Sequence, residues 1–284
     1  MSVQSGRVDA GRGGPPTAPS PLRLTPLFGF GSRRARFLVE RNVYVYRHTW
    51  IVLLSGFFEP LFYLASIGFG LGALIGTVPG PGGEPISYQL FVAPALLATA
   101  AMQGAITEAT LNFFFKLNYN KTFESILSTP LGPDDIAVGE LVWAQIRGGL
   151  YAIGFLVVMG LFGLIVSPWL ILAFPGALLI GFAFGSVGMA ATSFMRTWQD
   201  FDLIQLIILP LFLFSATFYP LETYPPLFQL IVAWTPLYQG VDLLRSLAVG
   251  YIDWHILVHV IYLGTMGIGG LIVVSKRLDK LLLK

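Results

Sequence analysis

Six long apolar stretches dominate the chain, at residues 50–74, 88–113, 148–166, 170–194, 203–218 and 256–275. A helix rises 1.5 Å per residue, so about 20 apolar residues cross the hydrocarbon core of a bilayer. All but the stretch at 203–218 meet that length, and that one is short but rich in Ile, Leu and Phe. The third has room for an earlier start near Ile136, with its polar first turns outside the bilayer. The expected fold is all-α and polytopic, with six transmembrane helices.

The segments between the stretches predict further elements. Residues 1–31 are rich in Gly, Pro, Ser and Arg without an apolar period, which predicts a disordered cytoplasmic tail ahead of a single membrane domain at 32–284. Residues 33–48 suit one amphipathic helix lying in the headgroup plane. Phe37, Leu38, Tyr44 and Val45 fall on one side and Arg33, Arg34, Arg36, Arg41 and Arg47 mostly elsewhere. A solvated basic stretch is the plainer alternative. Between the second and third stretches, Phe123, Ile126 and Leu127 form an apolar stripe on a short helix ended by Pro130. Pro133 with Asp134 and Asp135 then opens the next helix, its acids complementing the helix dipole. The short helix suits either docking to another protein or resting on the lipid surface.

The segment at 219–250 holds Pro220, Pro225, Pro226 and Pro236 and two apolar pieces, 227–234 and 241–249. Each is too short to span, which predicts re-entrant or interfacial outer helices beginning near Tyr219. Asp242 and Arg245 are spaced to pair on one helix face. As a surface pair they would contribute about 0–1 kcal/mol.

Composition supports a lipid solvent. The chain is 55% hydrophobic and 11% charged, against roughly 45–50% and about 25% in soluble domains. Its basic residues are unevenly placed: eight of 17 precede Trp50, and Lys116, Lys121, Arg196, Lys276, Arg277, Lys280 and Lys284 fall in the other loops of the same side. Only Arg245 falls in the opposite loops, and Arg147 sits at the mouth of the third stretch. The positive-inside rule then puts both termini in the cytoplasm, which needs an even number of spans; the expected location is a bacterial inner membrane.

Catalytic chemistry is not expected. The sequence has no Cys and no GxxxxGK[ST] phosphate cradle. Gly68, Gly70 and Gly72 sit in a membrane stretch, where close helix packing explains them better than dinucleotide binding. His48, His255 and His259 lack the neighbours of a metal site. Two carboxylates, Glu59 and Glu108, lie inside stretches, and an ionisable group in lipid is a functional candidate by default. With the aromatic Phe58 and Phe62 they form a candidate pathway or gate. Satisfying backbone donors, or reaching toward the interface, is the structural alternative for both acids. An ion-coupled carrier using Glu59 and Glu108 is the alternative functional class.

The stretches Phe58-Glu-Pro-Leu-Phe-Tyr-Leu64 with Gly68-Phe-Gly-Leu-Gly72, Thr122-Phe-Glu-Ser-Ile-Leu-Ser-Thr-Pro-Leu131, and Phe218-Tyr-Pro-Leu221 with Pro236-Leu237 and Arg245 follow in order along the chain. In these the sequence resembles the type-2 permease family of ABC transporters, particularly the lipo-oligosaccharide (nodulation-factor) exporters and their drug-exporter relatives. The resemblance covers most of the chain from Arg33 onward. It implies a homodimer or paired permease in membrane lipid, exporting an amphiphilic substrate, with a separate nucleotide-binding ATPase subunit. No cofactor would bind this chain, ATP and Mg belonging to the partner, and no nucleic acid is expected. By the same resemblance Asn120, Lys121, Thr122, Phe123, Glu124, Ile126 and Leu127 couple to the ATPase. Arg34, Phe37, Arg41 and Tyr44 would belong to the interfacial helix, and Tyr219, Asp242 and Arg245 to the outer helices that close the pathway.

Overall fold

Apolar runs in lipid leave the backbone few partners but its own, and the described residues fold almost entirely as helix. The computed structural model describes residues 35–46, 58 and 61–283. The predicted tail at 1–31, Arg34, Glu59 and most of the first half of the first stretch lie outside the described residues.

In order, the elements are α1 (Ala35–Tyr46), α2 (Leu61–Ile75), a hairpin of β1 (Thr77–Pro79) and β2 (Pro85–Ser87), α3 (Tyr88–Tyr119), α4 (Thr122–Leu127) and α5 (Pro133–Leu161). Then follow α6 (Pro168–Thr192), α7 (Phe201–Phe214), α8 (Pro226–Ala233), α9 (Pro236–Val249) and α10 (His255–Leu282). Strands β1 and β2 are antiparallel, with Val78 opposite Ile86.

Among the described residues four helices, α3, α5, α6 and α10, are long and apolar enough to cross a membrane. They correspond to the second, third, fourth and sixth predicted stretches. The third does start early, at Pro133, where the Asp135 carboxylate accepts the Gly132 backbone N–H at 3.1 Å and caps the helix. The first stretch is represented by the shorter α2. The fifth, α7, stops at Phe214, short of the expected 218, because the chain turns left-handed at Ala216 (φ 53°). The apolar pieces at 227–234 and 241–249 are the helices α8 and α9, and α9 begins earlier than its apolar run because Pro236 suits a first helical position.

Helix α3 is the axis of the bundle, flanked by α5, α6 and α9, with nearly every side chain from Leu90 to Ile106 buried. The outer faces of α5, α7 and α10 expose Leu150, Val157, Leu206, Leu213, Leu257 and Ile261. Apolar faces of this extent are stable where the surrounding solvent is lipid.

Without a hydrophobic driving force between helices, close approach through small residues holds such bundles together. At the α3–α5 crossing a Cβ added at Gly104 would come 3.0 Å from the Gly148 Cα. The most extensive pairing, α6 with α10, is tighter: a Cβ at Gly270 would lie 2.7 Å from backbone atoms of Ser186 and Val187. Of the Gly68, Gly70 and Gly72 series, only Gly72 meets another element, at Gln89 and Tyr88, while Gly70 faces open space. The expectation of close packing therefore holds at one of the three.

These contacts predict that Gly270→Ala lowers the stability of the detergent-solubilised protein by about 1–3 kcal/mol, because backbone cannot move aside as a side chain can. Gly269→Ala, which meets nothing within 4 Å, should leave the thermal unfolding midpoint unchanged. Thermal unfolding followed by tryptophan fluorescence compares the two.

Candidate functional site

At the end of the bundle that carries α4, the chain builds a loop fixed on its inner side and open on its outer side. Phe123 and Ile126 are buried in a cluster with Phe113, Ile136, Leu141, Met189 and Leu278, and the Phe123 ring lies 5.1 Å from that of Phe113. The stripe of Phe123, Ile126 and Leu127, which suited either a partner or the lipid surface, turns inward instead. The stripe is covered by the protein's own α3, α5, α6 and α10, with Leu127 half-buried beside it. What the loop presents outward is polar: Asn120, Lys121, Glu124, Ser125 and Ser128 are exposed and Thr122 is half-buried. Lys121 takes a left-handed conformation (φ 47°) that turns the chain into α4, and its ammonium lies 3.8 Å from the Glu124 carboxylate.

Behind this loop lies a buried charge network. The last turns of α3 are π-helical, at Glu108–Asn112 and Phe115–Tyr119. In a regular α-helix, positions eight apart drift by about 80° around the axis. The wider π turns reduce that drift and bring Glu108, Asn112 and Lys116 to one side. Glu140 and Arg147, two turns apart on α5, face them.

Arg147 Nη1 lies 2.9 Å from Glu108 Oε2, and Asn112 Nδ2 donates to the same oxygen at 2.6 Å. Lys116 Nζ bridges Glu108 Oε1 at 3.3 Å and Glu140 Oε2 at 2.5 Å. Asn42, buried on α1, donates to Glu140 Oε1 at 3.3 Å, and Arg41 Nη1 donates to Asn42 Oδ1 at 3.2 Å. At the other end Arg147 Nε donates to Tyr151 Oη at 3.2 Å. Every oxygen of the two carboxylates thus has a donor, and two acids balance two cations. Neutrality matters because an unpaired charge sealed from water costs several kcal/mol.

Three sequence expectations change here. Lys116 is not a loop cation but a buried residue of α3, and Arg147 is not at a helix mouth but paired within the bundle. Glu108, 1% exposed, is locked among its donors instead of lining an open path. Phe58 and Phe62 are exposed on the outer surface and stacked at 6.2 Å. The structure therefore does not bring Glu108 together with Phe58 and Phe62 as a gate, and Glu59 lies outside the described residues.

Helix α1 is held to α5 by Ala35, Leu38 and Asn42, on a face matched to Gly139 and Glu140. Leu38 belongs to this protein-facing side, not to the apolar side with Phe37, Tyr44 and Val45, which are exposed. Arg41 is half-buried between the two sides.

At the opposite, hairpin end, Arg245 and Asp242 do not form the expected surface pair. Arg245 is buried and donates through Nε to Phe91 O at 3.1 Å and through Nη2 to Ala216 O at 2.8 Å, over the Phe91 ring at 3.7 Å. It ties α9 to α3 and to the left-handed turn after α7. Asp242 pairs instead with His259 of α10 at 3.1 Å, and His259 Nδ1 lies 2.5 Å from Gln239 Oε1. His255 takes a separate partner, Asp253, at 2.7 Å. The hydrogen bond from His255 and one from the Trp254 backbone N–H hold the Asp253 carboxyl below its ordinary range. Tyr219 is exposed, at the start of the segment. Spacing alone did not show the network or the Asp242–His259 link, although Glu108, Asn112 and Lys116 at i, i+4 and i+8 were a visible signal.

Among the described residues the fold is thus a helical bundle with helices of membrane-spanning length and a fixed polar loop at one end. The profile of the ABC-2 type transporter family matches residues 33–249, and the chain belongs to that family. It is thus a multi-pass membrane protein of the transmembrane, non-catalytic component class. It is 33% identical to nodulation protein J of Rhizobium leguminosarum bv. viciae over 73% of this chain and 79% of that protein. The likeness to nodulation protein J of Rhizobium meliloti (strain 1021) is 31%, over 73% of this chain and 78% of the other. The protein of that name from Azorhizobium caulinodans is 26% identical, over 73% and 80%.

The network makes a testable statement about charge balance. Lys116→Met should destabilise the solubilised protein by about 3–5 kcal/mol, since it leaves two carboxylates facing one arginine. Adding Glu140→Gln restores neutrality and should recover most of that loss. A double-mutant cycle by chemical or thermal denaturation measures the coupling.

Proposed function

We propose that this chain is the membrane-spanning subunit of an ATP-driven exporter, working as a pair of such subunits with a separate nucleotide-binding ATPase that holds ATP and Mg. The loop of α4 is its docking surface, both termini face the cytoplasm of the bacterial inner membrane, and α2 and α7 complete six spans with α3, α5, α6 and α10. Closure of two ATPase subunits pushes on the two loops, and the helices that carry them separate along the paired interface. Helices α8 and α9 are the re-entrant outer elements at the far end of the pathway. Helix α1 lies at the cytoplasmic headgroup level with Phe37 and Tyr44 toward lipid.

The observation that carries this reading is the two-sidedness of α4: apolar residues anchored in the bundle, and Lys121, Glu124 and Ser125 offered outward. A helix resting on lipid would present the reverse arrangement. The cargo is an amphiphile, a lipid-linked oligosaccharide or a hydrophobic drug-like molecule. The resemblance to lipo-oligosaccharide (nodulation-factor) exporters, together with relatives named nodulation protein J, favours the lipo-oligosaccharide. An ion-coupled carrier would need a carboxylate free to meet water from each side in turn, and Glu108 is saturated with donors.

Purified gently from its native host, the tagged chain should bring with it a near-stoichiometric soluble subunit with a Walker A motif. Recovery of the chain alone would contradict the proposal. In the reconstituted complex, Glu124→Ala should lower cargo-stimulated ATP hydrolysis roughly tenfold, the equivalent of about 1.4 kcal/mol at the docking contact. Phe123→Asp should instead reduce the yield of folded protein, because Phe123 is internal.

A further inference from the structure

At the hairpin end a cavity of about 210 Å³ lies between the hairpin tip, α9 and the start of α10. A water molecule occupies about 30 Å³ of liquid, so the space admits a ligand of several heavy atoms. Asp242 and Ser246, one turn apart on α9, form one wall, and Tyr251, Asp253 and His255 form another. The Tyr251 ring packs on Gly82, whose φ of +83° and lack of a side chain allow the contact: a Cβ there would come within 2.8 Å of the ring.

The walls are acceptors in excess of donors. Asp242 uses Oδ2 toward His259, and its Oδ1 has no protein partner among the described residues. Asp253 carries the hydrogen bonds from His255 and from the Trp254 backbone and keeps further lone pairs. Ser246 is only 6% exposed, yet its hydroxyl has no protein partner among the described residues. Its hydroxyl opens onto the cavity and is available to whatever occupies it. The nearby Arg245 does not neutralise the cavity, since its Nε and Nη2 are directed to Phe91 O and Ala216 O.

We infer that this cavity binds a primary ammonium group, of the kind that an ethanolamine phospholipid headgroup carries. An ammonium has three donors and no acceptor, and Asp242, Ser246 and Asp253 line the cavity with acceptors. A metal ion fits less well, because among the described residues no three His or carboxylate side chains converge on one point. The level in the membrane also fits a headgroup. Trp234 and Trp254, 68% and 66% exposed, lie at this end of the bundle, and exposed tryptophans concentrate where headgroups meet hydrocarbon. The inference rests on membrane insertion and not on pairing with an ATPase, so either can fail without the other.

Native mass spectrometry of the full chain in detergent tests it, with phosphatidylethanolamine, phosphatidylglycerol of the same acyl chains and free ethanolamine as probes. The ethanolamine lipid should be retained about tenfold over the glycerol lipid, corresponding to 1.4 kcal/mol. Ser246→Ala and Asp253→Asn should each reduce that preference while the gel-filtration profile stays that of the parent. Displacement of the lipid by free ethanolamine supports headgroup recognition. Saturable, Ser246-dependent binding of free ethanolamine without lipid preference supports the same ammonium site with a soluble amine as its source. Equal retention of both lipids with no ethanolamine binding, or a preference unchanged in both variants, overturns the inference.

Discussion

A charge sealed from water inside a membrane protein must meet its opposite, and this bundle is organised around one place where that demand is met. Glu108 and Lys116 from α3 and Glu140 and Arg147 from α5 form a neutral set, with Asn42 of α1 and Asn112 supplying the remaining donors. None of these groups is tolerable alone, because each would leave an uncompensated ion in a low-dielectric interior. Together they fix the relative positions of three helices more sharply than apolar contact can. The π turns that end α3 are part of the same solution, since they carry Lys116 around to Glu140.

That arrangement gives the α4 loop its mechanical character. Helix α4 is only six residues long, too short to hold its shape in isolation. It is held by Phe123 and Ile126 in the apolar cluster on one side of the network, and by the end of α3, which the network pins to α5. A push on Lys121 and Glu124 therefore acts on α3 and α5 together. At the far end Arg245 and the Asp242–His259 pair tie α9 to α3 and α10 by the same means: polar groups in an apolar setting, each given a specific partner.

The existence of the helices was legible in the sequence because apolar runs of spanning length have few other outcomes. Their polar detail was less legible, for a physical reason. Lys116 looks like the end of a helix when only its neighbours are considered, since its partner Glu140 is 24 residues away. Arg147 likewise finds Glu108 across 39 residues. Asp242 and Arg245 are spaced to pair locally, yet each has a better-placed tertiary partner. The stripe of Phe123 and Ile126 announced a buried face, but an apolar period does not say what covers it. Here the cover is the chain's own bundle, and the outward residues of α4 are those between the stripe positions.

Held in this way, the α4 loop should move as one body with the bundle. The chain has no native Cys, so spin labels at Ser125→Cys on α4 and Lys280→Cys on α10 report on that claim without background. Pulsed dipolar spectroscopy on the reconstituted transporter, diluted with unlabelled permease, should give one narrow intrasubunit distance in nucleotide-free and nucleotide-bound states. Adding Lys116→Met should broaden it. A distance that is broad in the parent protein, or that shifts with nucleotide, would show that the loop moves independently of the bundle and would contradict the account.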